Sequence, residues 1–305
     1  MLADSSSPQA PQVSLPEWLK RPPGSNAATR DVKKLLRTIT LNTVCEEARC
    51  PNISDCFSRG TATFMILGDI CTRGCRFCAV TTGRPEMQPE EFRSEGQRVA
   101  AAAQTLGLKH VVVTSVARDD LADGGAQGFV ETIRALRTEL PQATVEVLIP
   151  DLRGNLDALR QILDARPDVL NHNLETVPRL YRRVRPGASY QRSLKLLQVV
   201  STYAPGVIAK TGIMLGLGEE QSEVAALMED CKQHQVQSFT AGQYLQPTRE
   251  HLPVSRYLSP EEFSDYEKLA KAKGFKHVAI GPLVRSSYHA DQQLDPNFAA
   301  TQVVE

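Results

Sequence analysis

The chain is bounded first by what it has little of. It carries no net charge, since 35 Lys and Arg offset 35 Asp and Glu over 305 residues. That leaves no basic excess on which non-specific nucleic-acid affinity would rest. No apolar run approaches the roughly 20 residues of a membrane-spanning helix, and the N-terminus lacks a basic segment followed by an apolar one. Cysteine is scarce, seven in all, and follows no spacing of a secreted disulfide framework. Aromatics make up 6% of the chain, with a single tryptophan, Trp18. The expectation is a cytoplasmic protein whose thiols stay reduced and which binds neither nucleic acid nor membrane.

What is there is concentrated in those few cysteines, six of which fall in two tight groups. Cys71, Cys75 and Cys78 stand at C-x3-C-x2-C spacing. Three thiols on one short loop can converge on one iron–sulfur cluster, because thiolate is the ligand such clusters select. A cubic four-iron cluster normally takes four, so a loop of three leaves one iron open to a substrate. A zinc site would use Cys75 and Cys78 as a C-x2-C pair and leave Cys71 idle. Phe77 sets a flat apolar surface beside the last thiol, where an adenine could pack.

The second group, Cys45-x4-Cys50-x5-Cys56, again offers three thiols on a loop. It reads as a second cluster lying outside the main core, or as a structural zinc site completed by a remote residue. The remaining cysteine does not complete it: Val224, Leu227, Met228 and Cys231 share helical spacing, which turns Cys231 toward core. A hydroxyl or an external species is left to close the site.

From Thr61 onward short apolar runs alternate with amphipathic ones. Strands are predicted over 62–67, 110–115, 144–149, 169–174, 207–215, 236–241 and 276–280. Helices are predicted over 90–106, 126–139, 154–165, 189–203, 220–234 and 260–273. Repeated strand-then-helix units imply a parallel sheet with crossovers, and chemistry-bearing residues after several different strands favour an α/β barrel, closed or nearly so. Around it the chain divides into a flexible tail (1–30), an extension bearing the first cysteines (31–60), the barrel (61–281) and a C-terminal segment (282–305). Within the tail, Trp18 is positioned to pin the segment Leu15–Leu19 to the main domain. At the fourth strand a period of two sends Asn171, Asn173 and Glu175 into the barrel and His172 the other way, as a satisfied core histidine. Ser115 ends the second strand. The run Leu215-Gly216-Leu217-Gly218 lacks the full dinucleotide fingerprint and implies only close backbone approach.

The loop Cys71-x3-Cys75-x2-Cys78 after the first barrel strand resembles that of the radical S-adenosylmethionine superfamily. More narrowly, the chain resembles the lipoyl synthase family from about Pro16 to Ala290. The resemblance rests on the upstream cysteine group and on Val113-Thr114-Ser115-Val116-Ala117-Arg118-Asp119-Asp120-Leu121, His172-Asn173-Leu174-Glu175-Thr176-Val177, Val184-Arg185-Pro186-Gly187-Ala188 and Val284-Arg285-Ser286-Ser287-Tyr288-His289-Ala290. It implies a partial (β/α) barrel with an N-terminal cluster-binding extension and a C-terminal segment that closes the site.

It also implies two 4Fe–4S clusters, one on Cys71, Cys75 and Cys78, the other on Cys45, Cys50, Cys56 and the first serine of the Arg-Ser-Ser motif, Ser286. Phe77, Ser115, Asn173, Glu175 and Arg185 become the expected contacts to S-adenosylmethionine. The implied reaction inserts sulfur at carbons 6 and 8 of an octanoyl group carried on a lysine of a lipoyl domain. Those C–H bonds are far beyond any side-chain base, so a deoxyadenosyl radical, released with methionine, removes hydrogen, and the auxiliary cluster is consumed as sulfur donor. The implied partners are the octanoylated carrier, an electron donor such as ferredoxin or flavodoxin, and an iron–sulfur cluster carrier. Arg179, Arg182, Arg183 and Arg185 follow the fourth strand and fit an acidic carrier, or else form a solvated face. A biotin synthase-like enzyme would place auxiliary ligands inside the barrel, whose predicted strands hold no cysteine. A non-enzymatic iron–sulfur protein would release no deoxyadenosine.

Overall fold

The computed structural model describes residues 14–20, 27–47, 50–58 and 62–293. The serine- and proline-rich stretches assigned to the tail, at 5–8 and 21–25, lie outside these, as do residues 294–305 of the C-terminal segment. The strands are β1 (Asn42–Thr43), β2 (Thr63–Ile66), β3 (Ile70–Cys71), β4 (Thr81–Thr82), β5 (His110–Ser115), β6 (Thr144–Leu148), β7 (Val169–Asn171), β8 (Ile208–Leu215), β9 (Ser238–Gln243) and β10 (His277–Gly281). The helices are α1 (Ala27–Thr38), α2 (Val44–Glu47), α3 (Ile53–Ser58), α4 (Phe92–Thr105), α5 (Ala126–Glu139), α6 (Leu156–Asp164), α7 (Tyr181–Val184), α8 (Tyr190–Tyr203), α9 (Gln221–Gln233), α10 (Pro260–Ala272) and α11 (Ala290–Gln293).

One sheet runs β1-β2-β5-β6-β7-β8-β9-β10, with β2 through β10 parallel and β1 antiparallel to β2. Among the described residues no ladder joins β10 back to β2, so the barrel is partial. β3 and β4 form a separate parallel pair that brackets the Cys71–Cys78 loop.

Alternation decides which face each side chain takes. Val111, Val113, Val145 and Val147 pack outward with Val99, Phe129, Ile133 and Leu159 of the crossover helices. The residues between them, His110, Val112, Glu146 and Asn171, therefore turn to the concave side. The helices begin where capping chemistry permits: Asn155 accepts from the amides of Asp157 and Ala158, and Ser259 with Glu262 closes a capping box ahead of Pro260. In the N-terminal segment Trp18 donates to the Leu258 carbonyl at 3.1 Å and Leu19 is buried, so this part of the expected tail lies on the barrel.

On the concave side the fully buried Lys210 donates to Glu146 at 2.8 Å, and His110 stands 3.3 Å from the other carboxylate oxygen. Burial alone would raise the Glu146 carboxyl, but Lys210 and His110 outweigh it and hold it below the usual carboxylate range. Removing one partner of such a pair leaves a buried charge uncompensated, at about 3–5 kcal/mol. Lys210→Met is therefore expected to lower the unfolding free energy of the metal-free protein, read from urea denaturation, by that amount, with a corresponding fall in the urea midpoint. An unchanged midpoint would mean that water already compensates the carboxylate.

Two candidate metal centres at opposite ends of the barrel strands

The first centre forms at the C-terminal ends of the strands. After β2 the chain turns at Leu67, whose φ of 69° is in the left-handed region, and at Gly68. It then lays the cysteine loop across the mouth. Every neighbour braces that loop. Thr72 N–H donates to Ala117 O at 3.0 Å, Arg76 N–H to Val184 O at 2.9 Å, and Leu252 N–H to Arg76 O at 3.0 Å. The His251 ring lies 2.9 Å from the Cys78 carbonyl. Arg73 is held between Asp119 at 2.7 Å and Asp151 at 2.6 Å.

Cys71 Sγ accepts from the amides of Ala117 at 3.3 Å and Arg73 at 3.4 Å, which fixes the direction of its side chain. Burial pushes the Cys75 thiol up to about 11, with Arg185 opposing and Glu175 and Cys71 reinforcing. Burial likewise pushes Cys78 up to about 12. Without a cation these groups are thiols, so iron would have to displace their protons.

Glu175 and Arg185 face this loop. Glu175 has φ 66°, rare for a side-chain-bearing residue, and is locked there by its amide to Gly212 O at 3.0 Å and by Met214 N–H to its own carbonyl at 2.9 Å. Burial raises its carboxyl, with Arg185 and Asn173 pulling the other way. Arg185 is buried, donates to Asn173 O at 2.6 Å, and stacks its guanidinium 5.5 Å from the Tyr181 ring. Three buried polar atoms here have no hydrogen-bond partner among the described residues: Ser115 Oγ, Asn173 Oδ1 and Arg185 Nε. Unsatisfied groups of this kind are costly unless a ligand completes them, so the mouth fits a zwitterionic, hydroxylated ligand such as S-adenosylmethionine. Phe77 is half-buried and packs against the hydrophobic cluster beneath.

The period of two predicted at the fourth strand outlasts the ladder: Asn173 lies on the same concave side as Asn171, against Gly212 of β8, with His172 opposite. β7 stops at Asn171, and the turn around Glu175 carries Asn173 and Glu175 to the mouth while Asn171 stays deeper, its amide 3.5 Å from Glu146. His172 is the satisfied core residue expected, with Nδ1 2.9 Å from Ile149 O and Nε2 2.9 Å from Ser193 Oγ.

The second centre lies toward the opposite ends of β2 and β5. Here the extension and the C-terminal segment meet over the open side of the sheet, where α11 packs on both β5 and β10. Asn52 donates to Leu283 O at 2.7 Å, and Tyr288 Oη donates to Asp55 at 2.8 Å, with His289 Nε2 3.3 Å from the same carboxylate. Between them opens a cleft lined by Cys45, Cys50 and Cys56, by Asn52, Arg285, Ser287, Tyr288 and His289, and by His110 and Val112 of β5.

Among the described residues no three His, Cys, Asp or Glu side chains converge on a single ion. What the cleft presents is three thiols and a hydroxyl set around its walls, the donor set of a cluster with one hard ligand. Asn52 Oδ1, buried without a partner, opens onto the same space. Burial pushes Cys45 up to about 11, with Cys50 adding to the effect. Cys231 is fully buried in the other cluster of core residues, as its helical spacing predicts.

Ser287 lines the cleft, and Ser286 does not. The turn closed by Tyr288 N–H to Arg285 O at 3.0 Å spans both serines and lies between the two anchor points. Sequence reasoning also missed the half-buried Arg285, whose guanidinium is lowered by desolvation with Cys50 opposing, and His110. The signal for His110 was an ionisable residue opening an alternating strand.

The barrel and its mouth loop are those of a radical S-adenosylmethionine enzyme, and the Radical SAM superfamily profile matches residues 65–231. Solved structures share the fold at low identity. Methylornithine synthase superposes with TM-score 0.53 at 15% identity, over 84% of this chain and 76% of that one. Coproporphyrinogen III oxidase from Escherichia coli superposes with TM-score 0.54 at 12% identity, over 74% and 55%. Much nearer in sequence are the lipoyl synthases of Rubrobacter xylanophilus, 53% identical over 92% of this chain and 86% of that protein, and of Caldanaerobacter subterraneus subsp. tengcongensis, 55% identical over 92% and 96%. The chain belongs to the lipoyl synthase family, sulfurtransferases of lipoate biosynthesis that use S-adenosylmethionine and 4Fe–4S clusters. No helix among the described residues is long and apolar enough to cross a membrane.

Proposed function

We propose that this enzyme inserts two sulfur atoms, at carbons 6 and 8, into an octanoyl group held in amide linkage on a lysine of a lipoyl carrier domain. In this reading Cys71, Cys75 and Cys78 hold the cluster that receives S-adenosylmethionine, and Cys45, Cys50 and Cys56 hold the auxiliary one, with Ser287 as its oxygen ligand in place of Ser286. When bound, the clusters supply the electron that splits S-adenosylmethionine into methionine and a deoxyadenosyl species and the sulfide that is added to the chain. The residues do the positioning. Glu175 and Asn173 suit the amino and hydroxyl groups of the cosubstrate, Arg185 its carboxylate, Ser115 a further hydroxyl, and Phe77 an adenine face.

The observation that carries this reading is the meeting of both chain ends in a second thiol-lined cleft, separate from the mouth. The test is anaerobic incubation of reconstituted protein with S-adenosylmethionine, a reductant and an octanoyl-lysine peptide. Mass spectrometry is expected to show a product with two added sulfurs, alongside deoxyadenosine. Deoxyadenosine without sulfur gain, or dithiolated product from material with one cluster per chain, would overturn the assignment.

The carrier would approach over the mouth. Arg182 and Arg183 are exposed on α7, next to Val184, which bonds the cysteine loop. Arg179 is already engaged by Glu223 at 2.7 Å and Arg185 is buried, so the docking cations are the middle pair. Reversing both charges is expected to lower kcat/KM about tenfold on an intact acidic carrier domain, with the loss greater at low salt, and to leave the short peptide nearly unaffected. Equal losses on both substrates would remove the docking role. The electron donor of the ferredoxin or flavodoxin kind and the cluster carrier belong to the same reading.

A further inference from the structure

Two histidines line the auxiliary cleft, and their surroundings differ. His289 has both ring nitrogens occupied, Nδ1 by Gln292 at 2.9 Å and Nε2 by Asp55 at 3.3 Å, which fits a fastening role. His110 is bonded at one nitrogen only: Nε2 lies 3.3 Å from Glu146 Oε2, and its other nitrogen makes no hydrogen bond among the described residues. Its side chain is 7% exposed. Behind it stands a fixed carboxylate, with Glu146 fully buried, tied to the equally buried Lys210 at 2.8 Å and approached by the Asn171 amide.

A buried ion pair is poor value for stability alone, since a well-packed apolar replacement often does as well. A carboxylate holding one nitrogen of a histidine so that the other presents its lone pair is the arrangement that orients histidine toward metals. His110 has that arrangement, and the space it shares contains Cys45, Cys50, Cys56 and Ser287.

We propose that His110 is a nitrogen ligand for auxiliary-site iron, taking hold of an iron as sulfide is withdrawn from it. The inference rests on the proposed assignment of the auxiliary ligands. The step would balance as a ligand exchange: the carbon radical's bond to sulfide leaves one electron on the iron that loses it, and the His110 nitrogen not facing Glu146 fills the vacated position as a two-electron donor, with no further change of oxidation state. Glu146 and Lys210 are positioning residues in this scheme, which gives a role to the buried polar pair on the concave face.

The test is pulsed electron paramagnetic resonance on the whole protein, reconstituted with natural-abundance or 15N-labelled histidine. Samples are frozen at rest and again after the first sulfur has been added to the octanoyl-lysine peptide, and their iron and sulfide are measured in parallel. A nitrogen coupling that appears on turnover, changes with the label and vanishes in His110→Gln is expected, and the labelled wild type alone suffices if the variant loads poorly. Iron released to a chelator during turnover is expected to rise about tenfold in Glu146→Gln, the loss typical when a ligand's orienting partner is removed. Two clusters per chain with no label-sensitive coupling at either stage would overturn the proposal, as would a coupling that survives in His110→Gln. One cluster per chain would instead overturn the ligand assignment and the proposal with it.

Discussion

Gly242→Ala is expected to cost the enzyme its auxiliary centre while sparing the one at the mouth. Gly242 sits in β9, and a methyl group there would overlap the Val284 carbonyl oxygen, with the carbonyl carbon at 2.9 Å and an Arg285 guanidinium nitrogen at 3.1 Å. Backbone atoms cannot swing aside as a flexible side chain does, so the segment beginning at Val284 must lift. That segment carries Arg285, Ser287 and Tyr288 to the cleft. The mouth loop is held by Ala117, Val184 and Leu252, none of which touches the displaced residues through these bonds. Iron should fall from about eight to about four atoms per chain, the content of one cubane instead of two. Reductive cleavage of S-adenosylmethionine should persist without dithiolated product. Full iron content together with unchanged product would show that the strand and the segment can separate without disturbing the cleft.

The second large effect separates two adjacent serines. Ser287→Ala is expected to reduce dithiolated product by about 100-fold or more, since an orienting neighbour of a metal ligand already accounts for 10–100-fold and a ligand should exceed it. Ser286→Ala should stay within about threefold of the parent, the size expected of a substitution away from the site. Deoxyadenosine formed in the absence of peptide should be alike in both, because neither residue belongs to the mouth. Equal losses in the two variants would mean that the motif acts as a loop and that no single hydroxyl serves the metal. The reverse order would restore Ser286.

The barrel was legible because its evidence is periodic. Runs such as Val111-Val112-Val113 and the apolar stripe at Val224, Leu227 and Met228 state strand or helix locally, and parallel topology follows from their order. The mouth thiols were equally plain, being three side chains on one loop. What was not legible depended on how the chain curves after an element ends. Strand alternation foretold one direction for Asn171, Asn173 and Glu175 but not their depth: β7 ends at Asn171, and the left-handed Glu175 keeps Asn173 and itself at the mouth while Asn171 lies deeper. The choice between Ser286 and Ser287 turns on a tight turn between two anchors, Asn52 with Leu283 and Asp55 with Tyr288, contacts spanning more than 200 residues. His110 was hidden for the same reason, since its partner Glu146, and the Lys210 that holds Glu146, come from strands a long way along the chain. Family resemblance supplied a serine for the site, whereas which of two neighbours faces the thiols is a matter of backbone direction.

The cleft joins residues 45–56 to residues 285–291, while the three mouth thiols fall within eight consecutive positions. During synthesis on the ribosome the two sites therefore mature on different schedules. The loop at 71–78 can emerge early, yet its braces at 117, 184 and 252 arrive in stages, and the upstream thiols wait unenclosed until position 291 has left the exit tunnel. Any nascent or truncated chain lacking that last stretch presents Cys45, Cys50 and Cys56 to whatever oxidant or stray metal it meets. The upstream cleft is thereby complete only in a chain synthesised through position 291.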